Sequence, residues 1–430
     1  MPEPRTVSYR EVFRHRDFRL LWAAMSVSLS GDVLFNLALN WLILEKTGSA
    51  LSVGGNLFVG VVSDLLFRTL AGALADRMNR KMLMLGSDLF RGGVVLGLFI
   101  LLNIMPFHLG YLYGTTFLLG VGSNLFFPAY RAVLPNLLPP QAWLTGRALT
   151  TASARLITTV VSGVGGWVLG MGTSPAILLN GLSFFISAGL LALCRLPQQA
   201  PQKTPRFSML TQVREGVRYV AGNRVLLGLF ALLTLGDFGA AFLWPVHVVF
   251  AERVFQGGPA LYGALATASL LGSFVGALML GRFSRWFQRS GRSYFWAAAG
   301  WGMSAVLFGL NTSLPLAFVY RFLIGAALSV VSIPLATWVD AHTDDAFRGR
   351  VGATMSLGTQ VVSPLAVTLS GWVADAWTPR VSYVIAGTLL LLTAIISRNF
   401  PVFQPRGSKI NASPPQETTA HEGIATAKPL

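Results

Sequence analysis

The feature that most constrains this chain is its succession of apolar runs of bilayer-spanning length, divided by short polar turns. A helix rises ~1.5 Å per residue, so about 20 apolar residues cover the ~30 Å hydrocarbon core. Inside lipid the backbone must satisfy its own hydrogen bonds, and a helix does so within one segment. The runs fall near Leu20–Leu44, Leu51–Ala75, Met82–Leu102, Leu109–Tyr130, Ala148–Gly170 and Ala176–Cys194. A second set follows near Val225–Phe250, Ala260–Leu280, Tyr294–Leu310, Leu314–Val339, Val351–Ala376 and Val381–Ile396. The expected fold is an all-α membrane protein with twelve transmembrane helices. Pro128 marks a kink or an end in the fourth.

Composition agrees. Of the 430 residues, 53% are hydrophobic and 12% charged, about half the charged share of a soluble domain. The net charge of +16 does not point to nucleic acid, because the bases sit in loops between apolar runs and form no continuous patch. Cys194 is the only cysteine. That excludes an internal disulfide and a cysteine metal cluster, and no cofactor or metal is expected. The charged N-terminus lacks a short apolar segment with a small-residue cleavage site, so the first run reads as a retained helix. No nucleotide-binding loop, HExxH or nucleophile elbow occurs, which argues against an ATP-driven pump or a membrane enzyme.

The bases set an orientation. The N-terminus and the loops after the second, fourth, sixth, eighth and tenth runs carry nearly all loop Lys and Arg; the opposite loops offer little beyond Lys46, Arg253 and Arg380. Both termini are therefore expected in the cytoplasm. Residues 1–19 read as a basic cytoplasmic arm and 20–194 as a six-helix half. Residues 195–224 read as a linker, with an amphipathic helix formed by Phe207, Leu210, Val213, Val217 and Val220. Residues 225–397 read as a second six-helix half, and 398–430 as a disordered tail. The halves repeat each other. Gly31-Asp32 matches Gly236-Asp237 (237 − 32 = 205), and Gly166-Trp167 matches Gly371-Trp372 (372 − 167 = 205). Pro128 and Pro334 stand at nearly the same spacing.

A charge at mid-bilayer costs ~2.5–3.5 kcal/mol on insertion scales, so each asks for a reason. Asp32 and Asp237 lie midway along the first and seventh runs, as proton or cationic-substrate sites or as structural partners of nearby bases. Arg155 and Arg321 are the deep bases, and either could pair with those acids or bind an anionic group. Asp64–Arg68 and Asp88–Arg91 have the spacing of intrahelical ion pairs. His247 reads as a satisfied histidine rather than a relay. Trp41 and Trp244 hold nearby positions in the two repeats and are candidates to line a cavity.

Between the second and third runs stands Gly72-Ala73-Leu74-Ala75-Asp76-Arg77-Met78-Asn79-Arg80-Lys81. This resembles the loop between helices 2 and 3 of the major facilitator superfamily, roughly G-x-x-x-D-R-x-G-R-R/K. Asn79 stands where glycine is usual, a mild change if the turn is left-handed. The second copy, Gly281–Arg292, keeps its bases and lacks the acid. Phe18-Arg19-Leu20-Leu21-Trp22, Thr47-Gly48-Ser49-Ala50 and Phe127-Pro128-Ala129-Tyr130-Arg131 look like the bacterial branch that includes enterobactin exporters and macrolide efflux proteins. The exporter signature of the fifth helix is not matched, since Ser162-Gly163-Val164-Gly165-Gly166 has no proline.

The resemblance implies a two-repeat fold in the bacterial cytoplasmic membrane, monomeric and working by alternating access. It implies proton-coupled export of a bulky amphipathic molecule such as a drug or siderophore; the alternative is a lipid or lysolipid facilitator. Membrane lipids, protons and the substrate are the expected partners. The resemblance also implies an inner gate of Gly72, Asp76, Arg77, Arg80, Lys81, Asp88, Arg91 and Arg131, with Asp76 facing the start of the eleventh helix. There Gly72 would let a neighbouring helix approach.

Overall fold

The computed structural model describes residues 8–196, 209–282 and 292–398. Its helices in chain order are α1 (Tyr9–Arg14), α2 (Arg16–Thr47), α3 (Ala50–Arg77), α4 (Arg80–Ile104), α5 (Leu109–Val133), α6 (Trp143–Gly170) and α7 (Thr173–Leu193). Then come α8 (Met209–Gly222), α9 (Arg224–Leu243), α10 (Val246–Val249), α11 (Pro259–Arg282), α12 (Arg292–Leu310), α13 (Leu314–Ala341), α14 (Arg348–Ala376) and α15 (Pro379–Ser397). Among the described residues there is no strand. The expected tail, most of the proline-rich linker and the second copy of the loop motif lie outside the described residues, as do the side chains of Asp76 and Arg77.

Among the described residues, 11 helices are long and apolar enough to cross a membrane. The remaining long helix, α12, has 19 residues; Tyr294, Trp296, Trp301 and its glycines lower its mean hydropathy. It packs between α13 and α15 like its neighbours. Large apolar side chains cover the outside, with Trp167 78% and Ile104 73% exposed. Such a surface suits lipid rather than water, and small residues accordingly fill the helix contacts.

Local chemistry sets the boundaries. Gly48, at φ 61°, ends α2 in a left-handed turn that favours glycine. Ser49 then caps α3, its hydroxyl accepting from the Ser52 amide at 3.1 Å. Asn79 departs from expectation. Its φ is −61°, and its side chain accepts from the amides of Lys81 and Met82. It caps α4 rather than making a left-handed turn. Pro128 does not end its helix, which continues to Val133. The seventh run is broken: α9 stops at Leu243, Trp244-Pro245 form a turn, and a π-helical turn over Phe250–Val254 follows α10. Proline has no amide proton to continue the ladder, so the apolar run is not one helix.

α2 packs on α7 and α6, α4 on α7 and α5, and α3 on α5. In the second set, α11 packs on α13, and α9 on α14 and α15. The two sets meet chiefly at two crossings, α3 with α14 and α6 with α11, and α10 also touches α2. Both crossings rest on glycine. A Cβ at Gly371 would stand 2.6 Å from the Ala50 carbonyl oxygen, and one at Gly263 2.5 Å from that of Ser162. These crossings lie toward the end bearing the α2–α3 turn. At the other end, a Cβ on Gly72 would meet nothing within 4 Å, so the close approach expected there is not made in this conformation. α8 lies on α14, held by Glu215–Arg350 at 3.1 Å and by Tyr219 donating to Asp344 at 2.9 Å.

Candidate functional site

A cavity of about 610 Å³ runs along α3 and α5 beside α2. Asp32 and Asn36 reach it from α2; Asn56, Asp64 and Arg68 line it along α3; Thr116, Asn124 and Arg131 line it along α5. Trp244, at the α9 break, supplies a half-exposed indole from the second set of helices. The polar wall is organised by its own hydrogen bonds. Thr116 donates to Asn56 at 2.6 Å, and Asn124 donates to Asp64 at 2.8 Å. Asp64 also pairs with Arg68 at 3.6 Å, as their spacing implied.

Behind this wall sits a buried ion cluster. Arg91 of α4 is 1% exposed and Asp88 fully buried, and they form a direct ion pair. Ser187 donates to Asp88 at 2.6 Å. The Arg91 guanidinium lies 4.3 Å from the Phe184 ring centre and 4.8 Å from that of Phe126, where ring faces favour a cation. Its Nη1 is also 3.8 Å from Asp32 Oδ2. Gly122 makes room for this reach, since a Cβ there would stand 2.5 Å from Arg91 Cγ. One cation thus serves two carboxylates, and one carboxylate faces the cavity.

This arrangement revises two expectations. The cation beside Asp32 is Arg91, neither Arg155 nor Arg321. Sequence spacing cannot show which helix turns which face toward α2. Asp88 and Arg91 form the intrahelical pair their spacing implied, and they sit in this buried cluster without lining the cavity, whereas Arg131 lines it.

The other candidates separate. Asp237 is half-buried, and its side chain has no ion pair or hydrogen bond among the described residues. Arg321 is 4% exposed. Its Nε donates to the Leu265 carbonyl at 3.3 Å, and its Nη1 contacts His247 Nε2. A guanidinium only donates, so the imidazole nitrogen facing it is the acceptor. Trp41 packs against the core and does not line the cavity. Arg155 lines a different cleft. Arg80 donates to the Ala132 carbonyl at 3.2 Å, and Lys81 Nζ to those of Ala192 and Cys194, both at 2.7 Å. These bases tie α4 to the C-terminal ends of α5 and α7, where carbonyls lack helical partners.

One contact between the two sets of helices was missed. Asp375 ends α14 and caps the start of α3: it accepts from Ser49 Oγ at 2.7 Å and from the amides of Ala50 at 2.9 Å and Leu51 at 2.8 Å. Arg253 braces it at 3.3 Å and donates to the Gly48 carbonyl. The signal was present, because Gly371-x-x-x-Asp375 repeats the G-x-x-x-D of Gly72–Asp76.

Comparison with known proteins places this geometry. A family described as "Transmembrane secretion effector" matches residues 8–423. Macrolide efflux protein A of Streptococcus pyogenes is 25% identical over 88% of this chain and 94% of its own. Multidrug efflux pump Tap of Mycolicibacterium fortuitum is 25% identical over 90% and 95%. Among solved structures, a bacterial homologue of the human lysosomal transporter Spinster superposes with a TM-score of 0.68 at 14% identity, covering 90% of this chain and 98% of that one. The nucleoside transporter NupG superposes at 0.69 with 12% identity, over 87% and 98%. The last two carry the fold alone.

Proposed function

The chain belongs to the transmembrane secretion effector family, in the macrolide-efflux branch of the major facilitator superfamily, and on that premise we propose that it exports a cationic amphipathic drug in exchange for protons. It is a multi-pass membrane transporter of the drug-efflux type, not an enzyme. The observation that carries the proposal is Asp32, a cavity-facing carboxylate that shares the Arg91 cation with buried Asp88. Two carboxylates against one guanidinium leave a negative charge unmatched where charge is costly. A proton or a cationic substrate at Asp32 each removes it, and they compete for one site. The Trp244 indole offers an apolar face, and its π-system also attracts cations.

Alternating access supplies the direction. The termini face the cytoplasm of a bacterial cell, so the sealed end bearing Asp375 faces outward and the cavity opens inward. Substrate enters there and displaces the proton. When the outer crossings part, Asp32 meets the outside, releases substrate and takes up a proton. The halves 20–194 and 225–397 move as the two bodies. In the outward state Asp76 caps the start of α14, as Asp375 now caps α3.

The test is a proteoliposome assay with an imposed pH gradient and a labelled cationic macrolide. Uphill accumulation that collapses with a protonophore is the expected result. Accumulation driven by ATP alone, or no response to the gradient, would refute the proposal.

A further inference from the structure

A second cavity, of about 500 Å³, lies between α6 and α11 with Leu29 of α2 on its wall. It shares no lining residue with the first, and its chemistry is opposite. Leu156, Leu270, Leu271 and Phe274 make it apolar. Thr158 and Thr159 also reach it, but their hydroxyls donate to the carbonyls of Ala154 and Arg155 on their own helix, at 2.8 and 2.9 Å. No acid lines it. Its one charge is Arg155, exposed and with no ion pair or hydrogen bond from its guanidinium among the described residues.

Depth makes this base costly. Arg155 follows the start of α6 by 155 − 143 = 12 residues, ~18 Å along the helix. The other deep bases are matched: Arg91 by two carboxylates, Arg321 by His247 and a carbonyl. The α6–α11 crossing seals the outer side through Gly163 beside Thr267 and Gly263 beside Ser162. Farther from that crossing along both helices, the cleft lies between the 152–159 stretch of α6 and the 270–274 stretch of α11.

We propose that this cleft binds a single-chain anionic lipid from the surrounding membrane, with its carboxylate or phosphate on Arg155 and its chain against Leu156, Leu271 and Phe274. The occupant follows from the lining. A sugar, nucleoside or peptide would need several hydrogen-bonding groups, and the cleft offers one guanidinium and an apolar wall. The volume lies within the ~300–1,000 Å³ range of small-ligand pockets. Guanidinium pairs readily with carboxylate and phosphate oxygens. The proposal is independent of drug export, because it concerns a different cavity and the opposite charge.

The experiment uses the full chain in nanodiscs of uncharged phosphatidylcholine, with a photoactivatable fatty acid and the matching long-chain amine as probes. Adducts are mapped by mass spectrometry. The fatty acid is expected to label peptides containing residues 152–159 and 270–274. Arg155→Gln should lower that labelling about tenfold, and Arg155→Lys should restore most of it. Leu271→Trp, which fills the cleft and keeps the charge, should also lower it. Thermal unfolding of each variant checks that the fold is kept. Adducts mapping elsewhere, equal labelling of Arg155→Gln and wild type, or equal labelling by the amine would overturn the proposal. Competition by millimolar inorganic phosphate as strong as by unlabelled fatty acid would mean a simple anion site, and would overturn the lipid assignment.

Discussion

Asp375 Oδ1 lies 2.9 Å from the backbone nitrogen of Ala50, across the interface between the two sets of helices. The same carboxylate also accepts from Ser49 Oγ at 2.7 Å and from the Leu51 amide at 2.8 Å. The first amides of α3 have no intrahelical acceptor, and their partial positive charge attracts an anion. The contact is therefore a helix cap supplied by the opposite half of the molecule. It exists only while the end of α14 and the start of α3 are together.

Removing it should open that end. A lost cap costs about 0.5–2 kcal/mol, and 1–2 kcal/mol changes a two-state ratio by about 5- to 30-fold. In Asp375→Ala, the distance between spin labels at Lys46 and Thr312 should shift toward a longer population. Gly371→Leu should do the same by steric exclusion, because its Cβ would meet the Ala50 carbonyl. Distance distributions identical to wild type for both variants would show that Asp375 does not hold the seal.

Coupling rests on Asp32. Asp32→Asn fixes a neutral side chain, so pH-driven uphill export should fall at least tenfold while downhill exchange persists. Asp237→Asn removes an acid with no described partner and serves as the matched control. Wild-type accumulation against a gradient by Asp32→Asn would make Asp32 structural.

Arg91 should matter for stability first. Arg91→Ala leaves Asp88 buried without its cation, and breaking a buried pair costs about 3–5 kcal/mol. The apparent Tm in detergent should drop by several degrees. Replacing Asp88 and Arg91 together by Asn and Met should recover much of the loss, since no lone charge is left behind. A double variant as unstable as Arg91→Ala would argue against this charge accounting.

Orientation can be tested with the native cysteine left in place. Cys194 is 1% exposed, and burial, with the Asp17 carboxylate second, pushes its thiol from 9.0 up to about 11. The thiolate is the reactive form, so Cys194 should stay silent to maleimides near neutral pH and react only as pH approaches 11. Lys46→Cys should then be labelled by an impermeant maleimide in intact cells, and Tyr9→Cys only after permeabilisation. Equal labelling of the two in intact cells would reverse or abolish the proposed topology.

What the sequence revealed divides along physical lines. Helix positions were legible because crossing lipid demands length and hydropathy, both local properties. Leu51–Ala75 became Ala50–Arg77, and Val381–Ile396 became Pro379–Ser397. The break at Trp244-Pro245 was hidden because the residues around it, His247 apart, are apolar, and hydropathy does not register a missing amide proton. The partner of Asp32 was not legible either. It depends on how α4 is rotated against α2 and on the space left by Gly122, and neither is written in spacing. Asp375 was legible in principle, as a repeated G-x-x-x-D, but its role depends on which helix start lies opposite.

The break in the seventh run has a mechanical consequence. A continuous helix transmits torque along its whole length. Here the turn at Trp244-Pro245 and the π-helical turn at Phe250–Val254 interrupt that rod twice. Phe250 is clamped by ring contacts to Phe308 at 4.6 Å and Tyr383 at 4.9 Å, so the piece after Pro245 is anchored to α12 and α15. The piece before it, α9, carries Trp244 at its tip. The joint between them can take up a local twist, so the indole at the end of α9 can turn while the aromatic clamp stays still.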